Sequence, residues 1–154
     1  MPVFGAIPLY SAAVLTAVAL YTDARLREIP NWLIGGLALL WILAVSLRLD
    51  VSNASAWATL LCASGLLAVG YLFHRLRWLG GGDGKLMGVL ALWIGPWELG
   101  WWLLGTAFLG LGMVLLAMAR PNGDFRDRGL PFAWAIVPPA AVLLVARANS
   151  LIGV

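Results

Sequence analysis

The chain has 154 residues, 62% of them apolar and only 11% charged, and its mean hydropathy is +0.93. A water-soluble domain carries about 25% charged residues, and a chain of this length could not hide so much apolar surface; a soluble fold is excluded and an integral membrane protein is expected. The net charge of +3 gives little reason to expect nucleic acid as a partner, because the basic residues are distributed as membrane topology requires.

Six charge-free runs follow one another, at residues 1–22, 29–47, 51–73, 86–97, 99–119 and 129–146. All but 86–97 reach 18 residues or more, close to the ~20 that an α-helix needs to span a bilayer. The expected fold class is all-α, a polytopic membrane protein with a six-transmembrane-helix bundle, forming a single domain over residues 1–154.

The first run lacks a basic n-region and exceeds the ~7–15 apolar residues of a signal peptide's core, so it reads as a span. It ends at Tyr21-Thr22-Asp23, and Ala24–Glu28 leads into Ile29-Pro30-Asn31. Pro30 suits the first turn of a second helix, where its missing N–H costs nothing, and it biases Ile29 toward an extended backbone. The second and third helices contain no ionisable residue and read as scaffold. Cys62, the one cysteine, lies mid-helix as a small apolar filler with no partner for a disulfide or a zinc site. His74-Arg75-Leu76-Arg77 closes the third helix, with His74 read as a solvated or capping residue.

The fourth run reaches spanning length only by taking in Leu79–Lys85, a glycine-rich turn built on Gly80-Gly81-Gly82-Asp83-Gly84. That turn must then lie at the membrane edge or be buried in protein. An ionisable residue in lipid costs roughly 2.5–3.5 kcal/mol on insertion scales, which makes Asp83 a functional candidate. The surrounding glycines leave room for another backbone to approach it. Gly84 and Gly88 form a GxxxG pair that lets a neighbouring helix pack closely, and Gly100, Gly105, Gly110 and Gly112 do the same for the fifth helix. A polar, turn-rich and mobile loop, Arg120–Arg128, precedes the last helix, which opens at Leu130-Pro131-Phe132-Ala133-Trp134 and should kink at Pro138-Pro139.

Of the ten basic residues, eight fall on one side of such a bundle: Arg25, Arg27, Arg75, Arg77, Lys85, Arg120, Arg126 and Arg128. Arg48 and Arg147 fall on the other, with both termini. The positive-inside rule places the eight in the cytoplasm. Trp97, Trp101 and Trp102 would anchor the outer interface, and Trp32, Trp78 and Trp134 the inner one.

Asp23 and Asp83 therefore share the cytoplasmic side. Taken singly, Asp83 could be an N-cap for the helix starting near Leu86, and Asp23 could pair with Arg27 at i,i+4. Taken together, two carboxylates at the lip of a bundle cannot both ionise comfortably and share a proton. One then activates water while the other protonates the reacting group, which is peptide-bond hydrolysis with no metal and no cofactor. The protons belong to the pair, so neither residue has a fixed role. Asp124 and Asp127 are outside candidates on the same face. A phosphate-binding loop ending at Lys85 fails, because Leu79 and Leu86 stand where glycine and a hydroxyl residue are required.

Two motifs together resemble a known family. Gly80-Gly81-Gly82-Asp83-Gly84-Lys85-Leu86 is similar to the GxGD-x-KL of type IV prepilin leader peptidases, and Asp23 through Ile29-Pro30-Asn31 looks like that family's first aspartate and its IPN turn. Leu130–Ile136 is similar to the family's proline-aromatic-glycine opening of the last helix, with Ala133 where glycine is usual. The resemblance covers roughly residues 15–142. It implies a membrane aspartyl endopeptidase with Asp23 and Asp83 as catalytic dyad, and with Gly80, Gly81, Gly82, Gly84, Lys85, Pro30 and Asn31 binding substrate or supporting the dyad. It also implies a prepilin or pseudopilin precursor as partner, whose hydrophobic helix and basic leader dock from the lipid and whose leader is cut at the cytoplasmic face, commonly after a glycine. The larger members' cysteine-bearing N-terminal part is absent, so the chain resembles the short form found with tight-adherence pili, and methyl transfer is not expected. A proton- or ion-coupled transporter using the aspartates as relays is the alternative from another class. A non-catalytic assembly subunit and an archaeal preflagellin peptidase are further readings.

Overall fold

The computed structural model describes residues 2–49, 51–52, 54–77, 79–119 and 132–153. Among them the chain is all-helical: α1 (Pro2–Leu26), α2 (Asn31–Ser46), α3 (Ala56–Arg75), α4 (Gly81–Ile94), α5 (Pro96–Ala119) and α6 (Ala133–Ile152). Apolar runs of this length can satisfy their backbone groups in lipid only as helices. Four of the helices, α1, α3, α5 and α6, are long and apolar enough to cross a membrane. The expectation of six spanning helices is corrected in length only. α2 has 16 residues and α4 has 14, and the latter rises about 21 Å, short of a ~30 Å hydrocarbon core.

Local chemistry sets the boundaries. Pro30 takes the extended backbone of an N-cap (φ −63°, ψ 136°), one position ahead of the first helical turn where the sequence placed it. Ser55 caps α3 by accepting from the Ala58 N–H at 3.3 Å. Gly95 ends α4 at φ +75°, a left-handed conformation that glycine reaches without strain. Pro96 then opens α5, where its absent N–H is not missed. The helix α6 runs unbroken through Pro138 and Pro139.

α1 packs chiefly on α6 and α3 on α4, while α5 lies on α6. The antiparallel α1–α6 pair is pinned at its far end by Tyr10, whose hydroxyl donates to Asn149 Oδ1 at 2.6 Å. α4 is the central element, touching α2, α3, α5 and α6, and most of its residues from Gly84 to Ile94 are buried. Its contact with α3 is glycine on glycine: a Cβ on Gly70 would come within 2.9 Å of Gly84 Cα, and one on Gly88 would strike Leu67. Outward faces of α3 and α5 carry exposed Leu61, Phe108 and Leu116, as lipid contact requires.

The tryptophans divide. Trp32, Trp97, Trp101 and Trp134 are exposed, as interfacial anchors should be. Trp102 is fully buried and donates its Nε1–H to Ile136 O at 3.0 Å, so it ties α5 to α6 and is not part of the outer belt. Adjacent helical positions point about 100° apart, which sends Trp101 outward and Trp102 inward. Trp78 lies outside the described residues, as do Arg120–Pro131 with Asp124 and Asp127.

At the end of the bundle opposite Asp23 and Asp83, Arg147 is 7% exposed. Its guanidinium donates to Val51 O, Trp93 O, Ile94 O and Glu98 Oε2. It thereby satisfies the free carbonyls of the last turn of α4 and joins α4, α5 and α6. Counting charges assigned this arginine to topology alone; its burial was not visible in the sequence.

Candidate active site

Asp23 and Asp83 are brought to one cavity of about 320 Å³ at the end of the bundle where α1 stops and α4 begins. Arg27, Glu28, Ile29, Asn31, Gly80, Gly81, Gly82 and Lys85 complete its lining. A larger apolar groove of about 570 Å³ between α1 and α2, walled by Val14, Leu15, Leu39 and Leu43, is lined by no acidic or basic side chain.

Asp23 sits within the last turn of α1, which continues to Leu26 and does not end at Asp23 as the sequence suggested. The residue is 7% exposed, and its Oδ2 accepts from the backbone N–H of Ala133 at 3.3 Å. Ala133 is the first residue of α6, one of the N–H groups that a helix start leaves without an internal partner. The weakest of the three sequence matches thus supplies a direct contact to Asp23. It does so through its backbone, and Ala133 is fully buried.

Asp83 is half-buried and occupies the third position of α4, since the helix begins at Gly81 and not near Leu86. Its carboxylate turns back over Gly80, the N-cap: a Cβ there would lie 2.7 Å from Asp83 Oδ2. Asp83 thus stands where the third helical residue of a capping box reaches back to the N-cap. Asp83 lies outside the four helices that are long and apolar enough to cross a membrane. Burial first and the Asp23 charge second push its pKa from 3.8 up to about 7, against the opposing pull of the Gly80 N–H.

The glycines are not a left-handed turn. Among the described residues the glycines with positive φ are Gly95 and Gly153, so 80–84 take φ values open to any residue. What demands glycine is proximity. A Cβ on Gly81 would come within 3.3 Å of the His74 ring, one on Gly82 within 3.2 Å of Ile29 Cβ, and one on Gly84 within 3.3 Å of Gly70. On the side a Cβ would take, Gly81, Gly82 and Gly84 are met by α3 and the α1–α2 turn, while Gly80, Gly81 and Gly82 also line the cavity. Lys85 and Asn31 meet at the exposed rim, Nζ donating to Asn31 Oδ1 at 3.0 Å. Among the described residues no three His, Cys, Asp or Glu side chains gather as a metal ion would require. His74, Ile29, Gly70 and the Ala133 amide were missed by sequence reasoning; only Gly70, an isolated glycine inside an apolar helix, carried a signal.

A family model for the type IV leader peptidase family matches residues 10–115, a stretch that holds both aspartates. The chain belongs to the type IV leader peptidase family. It is a leader-peptidase-like protease, and its four long apolar helices make it a membrane protein. No curated protein and no solved structure matches it.

Proposed function

We propose that Asp23 and Asp83 form the proton-sharing dyad of an aspartyl endopeptidase that removes the basic leader from prepilin-like precursors. The observation that carries this reading is their convergence, from α1 and α4, on one polar cavity at the end of a membrane bundle. One carboxylate takes a proton from water as it attacks the scissile carbonyl, and the other donates to the carbonyl oxygen. The tetrahedral intermediate collapses when a proton is delivered to the leaving nitrogen. The Ala133 N–H holds the Asp23 carboxylate and the Asp83 carboxylate folds back over Gly80, and Lys85 with Asn31 borders the entrance.

Arg25, Arg27, Arg75, Arg77 and Lys85 share the end of the bundle with the cavity, whereas Arg48 and Arg147 lie at the other. The positive-inside rule then assigns the site to the cytoplasmic face of the inner membrane and the termini to the opposite face. A precursor held in the bilayer by its apolar helix would present its leader junction at that face.

Co-expression with a tight-adherence prepilin tests the reading: a shortened pilin is expected with the wild-type chain and none with Asp23→Asn or Asp83→Asn. Full processing by either variant contradicts it, as would aspartate-dependent ion uptake into vesicles with no cleavage.

A further inference from the structure

At the end of α3, the His74 ring lies against Gly81, and its Nδ1 is 3.2 Å from Leu79 O. A carbonyl only accepts, so Nδ1 carries the hydrogen of this bond. Leu79 C=O and Gly80 N–H are the two ends of one peptide unit, and the Asp83 carboxylate folds back over Gly80, its Oδ2 2.7 Å from where a Cβ there would stand. Hydrogen bonds in series polarise one another, and the planar peptide transmits orientation rigidly.

We propose that His74 is a positioning residue for Asp83, acting through the Leu79–Gly80 peptide: it fixes the plane of that peptide and so aims the Gly80 N–H at the carboxylate. The proposal rests on the reading of Asp83 as one half of the dyad. It gives the exposed histidine a task that neither solvation nor simple capping of α3 contains, and it accounts for glycine at 81, where any Cβ would crowd the ring. The titratable and charged groups around Asp83 are Asp23 on α1, Arg27 and Glu28 in the α1–α2 turn, Lys85 on α4 and His74 itself on α3.

The test compares His74→Asn, whose amide N–H can stand near the place of Nδ1–H, with His74→Leu, which offers no donor. Neither replacement titrates, so His74's own ionisation drops out of both. Two readouts are followed in reconstituted protein: the pH profile of leader cleavage, and the titration of the Asp83 carboxyl by 13C NMR, assigned by its absence in Asp83→Asn. In His74→Leu the Asp83 midpoint, and with it the alkaline limb of the pH profile, should move up by about one pH unit. The maximal cleavage rate should fall about tenfold, because the carboxylate is no longer held in place. In His74→Asn both should return toward wild type. A His74→Leu midpoint equal to that of wild type overturns the proposal, as does an equal displacement in both variants. Full cleavage by Asp83→Asn would instead overturn the dyad reading, and the NMR comparison keeps the two failures apart.

Discussion

Replacing Gly70 by alanine should separate α3 from α4 and weaken both stability and cleavage. The new Cβ would lie 2.9 Å from Gly84 Cα and 3.4 Å from Gly84 C and O. Ordinary carbon contacts need about 3.5–4.0 Å, so the helices must part by about 0.6–1.1 Å. Backbone faces the intruding methyl, and no rotamer change relieves it. Overpacking of this kind costs about 1–3 kcal/mol, partly offset by the ~0.5–1 kcal/mol that alanine gains over glycine in a helix. Gly65 supplies the internal control: it is on the same helix, and a Cβ there meets nothing within 4 Å. Gly65→Ala should therefore be neutral or stabilising, and the difference between the variants isolates the packing cost. Because Gly84 adjoins Asp83, a shift of α4 by nearly 1 Å carries the carboxylate with it and should lower cleavage by up to about 100-fold. Thermal unfolding in detergent and a leader-cleavage assay read the two effects. Equal stability and equal activity for Gly70→Ala and Gly65→Ala would refute the argument.

Other outcomes follow from the same contacts. Folding raises the Asp83 pKa from 3.8 to about 7, so between these values the folded protein holds a proton that the unfolded chain has released. The Asp83 contribution to stability should be full below pH ~4, shrink as pH rises to ~7 and then level off, so that Asp83→Asn differs from wild type by a pH-dependent amount over this range when unfolding is measured against pH. Cleavage should decline above pH ~7 as the pair loses its shared proton, which a pH–rate profile checks. Gly80 has φ −62° and ψ 141°, so Gly80→Ala brings no backbone strain. Its methyl would displace the Asp83 carboxylate, and cleavage should drop about 100-fold while stability changes by less than about 0.5 kcal/mol. At the other end, Arg147→Met leaves Glu98 and the carbonyls of Val51, Trp93 and Ile94 without their donor. It should cost about 3–5 kcal/mol, part of it recovered in the Arg147→Met, Glu98→Gln double variant on thermal unfolding.

Much of the bundle was legible because apolar runs without charge have one solution in lipid, and because two acidic residues on one side of such a chain stand out. The start of α4 was not. Gly81, Gly82 and Gly84 each disfavour a helix by about 1 kcal/mol relative to alanine, so the stretch reads as a turn. It is helical because α3 and Ile29 close in where a side chain would have kept them off. Propensity is local and that packing is not. Trp102 and Arg147 were misjudged for a related reason: composition says which residues suit an interface, but the facing side of a helix decides which of two neighbours is buried. The Ala133 contact with Asp23 was hidden because a backbone N–H leaves no residue-type signature.

A proton-sharing dyad requires that the two carboxylates act as one unit. Cleavage rates of reconstituted Asp23→Asn, Asp83→Asn and the double variant, against the wild type and one prepilin, measure this most directly. Groups acting as one unit are strongly non-additive: each single variant should lose as much activity as the double. A single variant that keeps a substantial fraction of wild-type cleavage, with the double falling further by the product of the two losses, would contradict it.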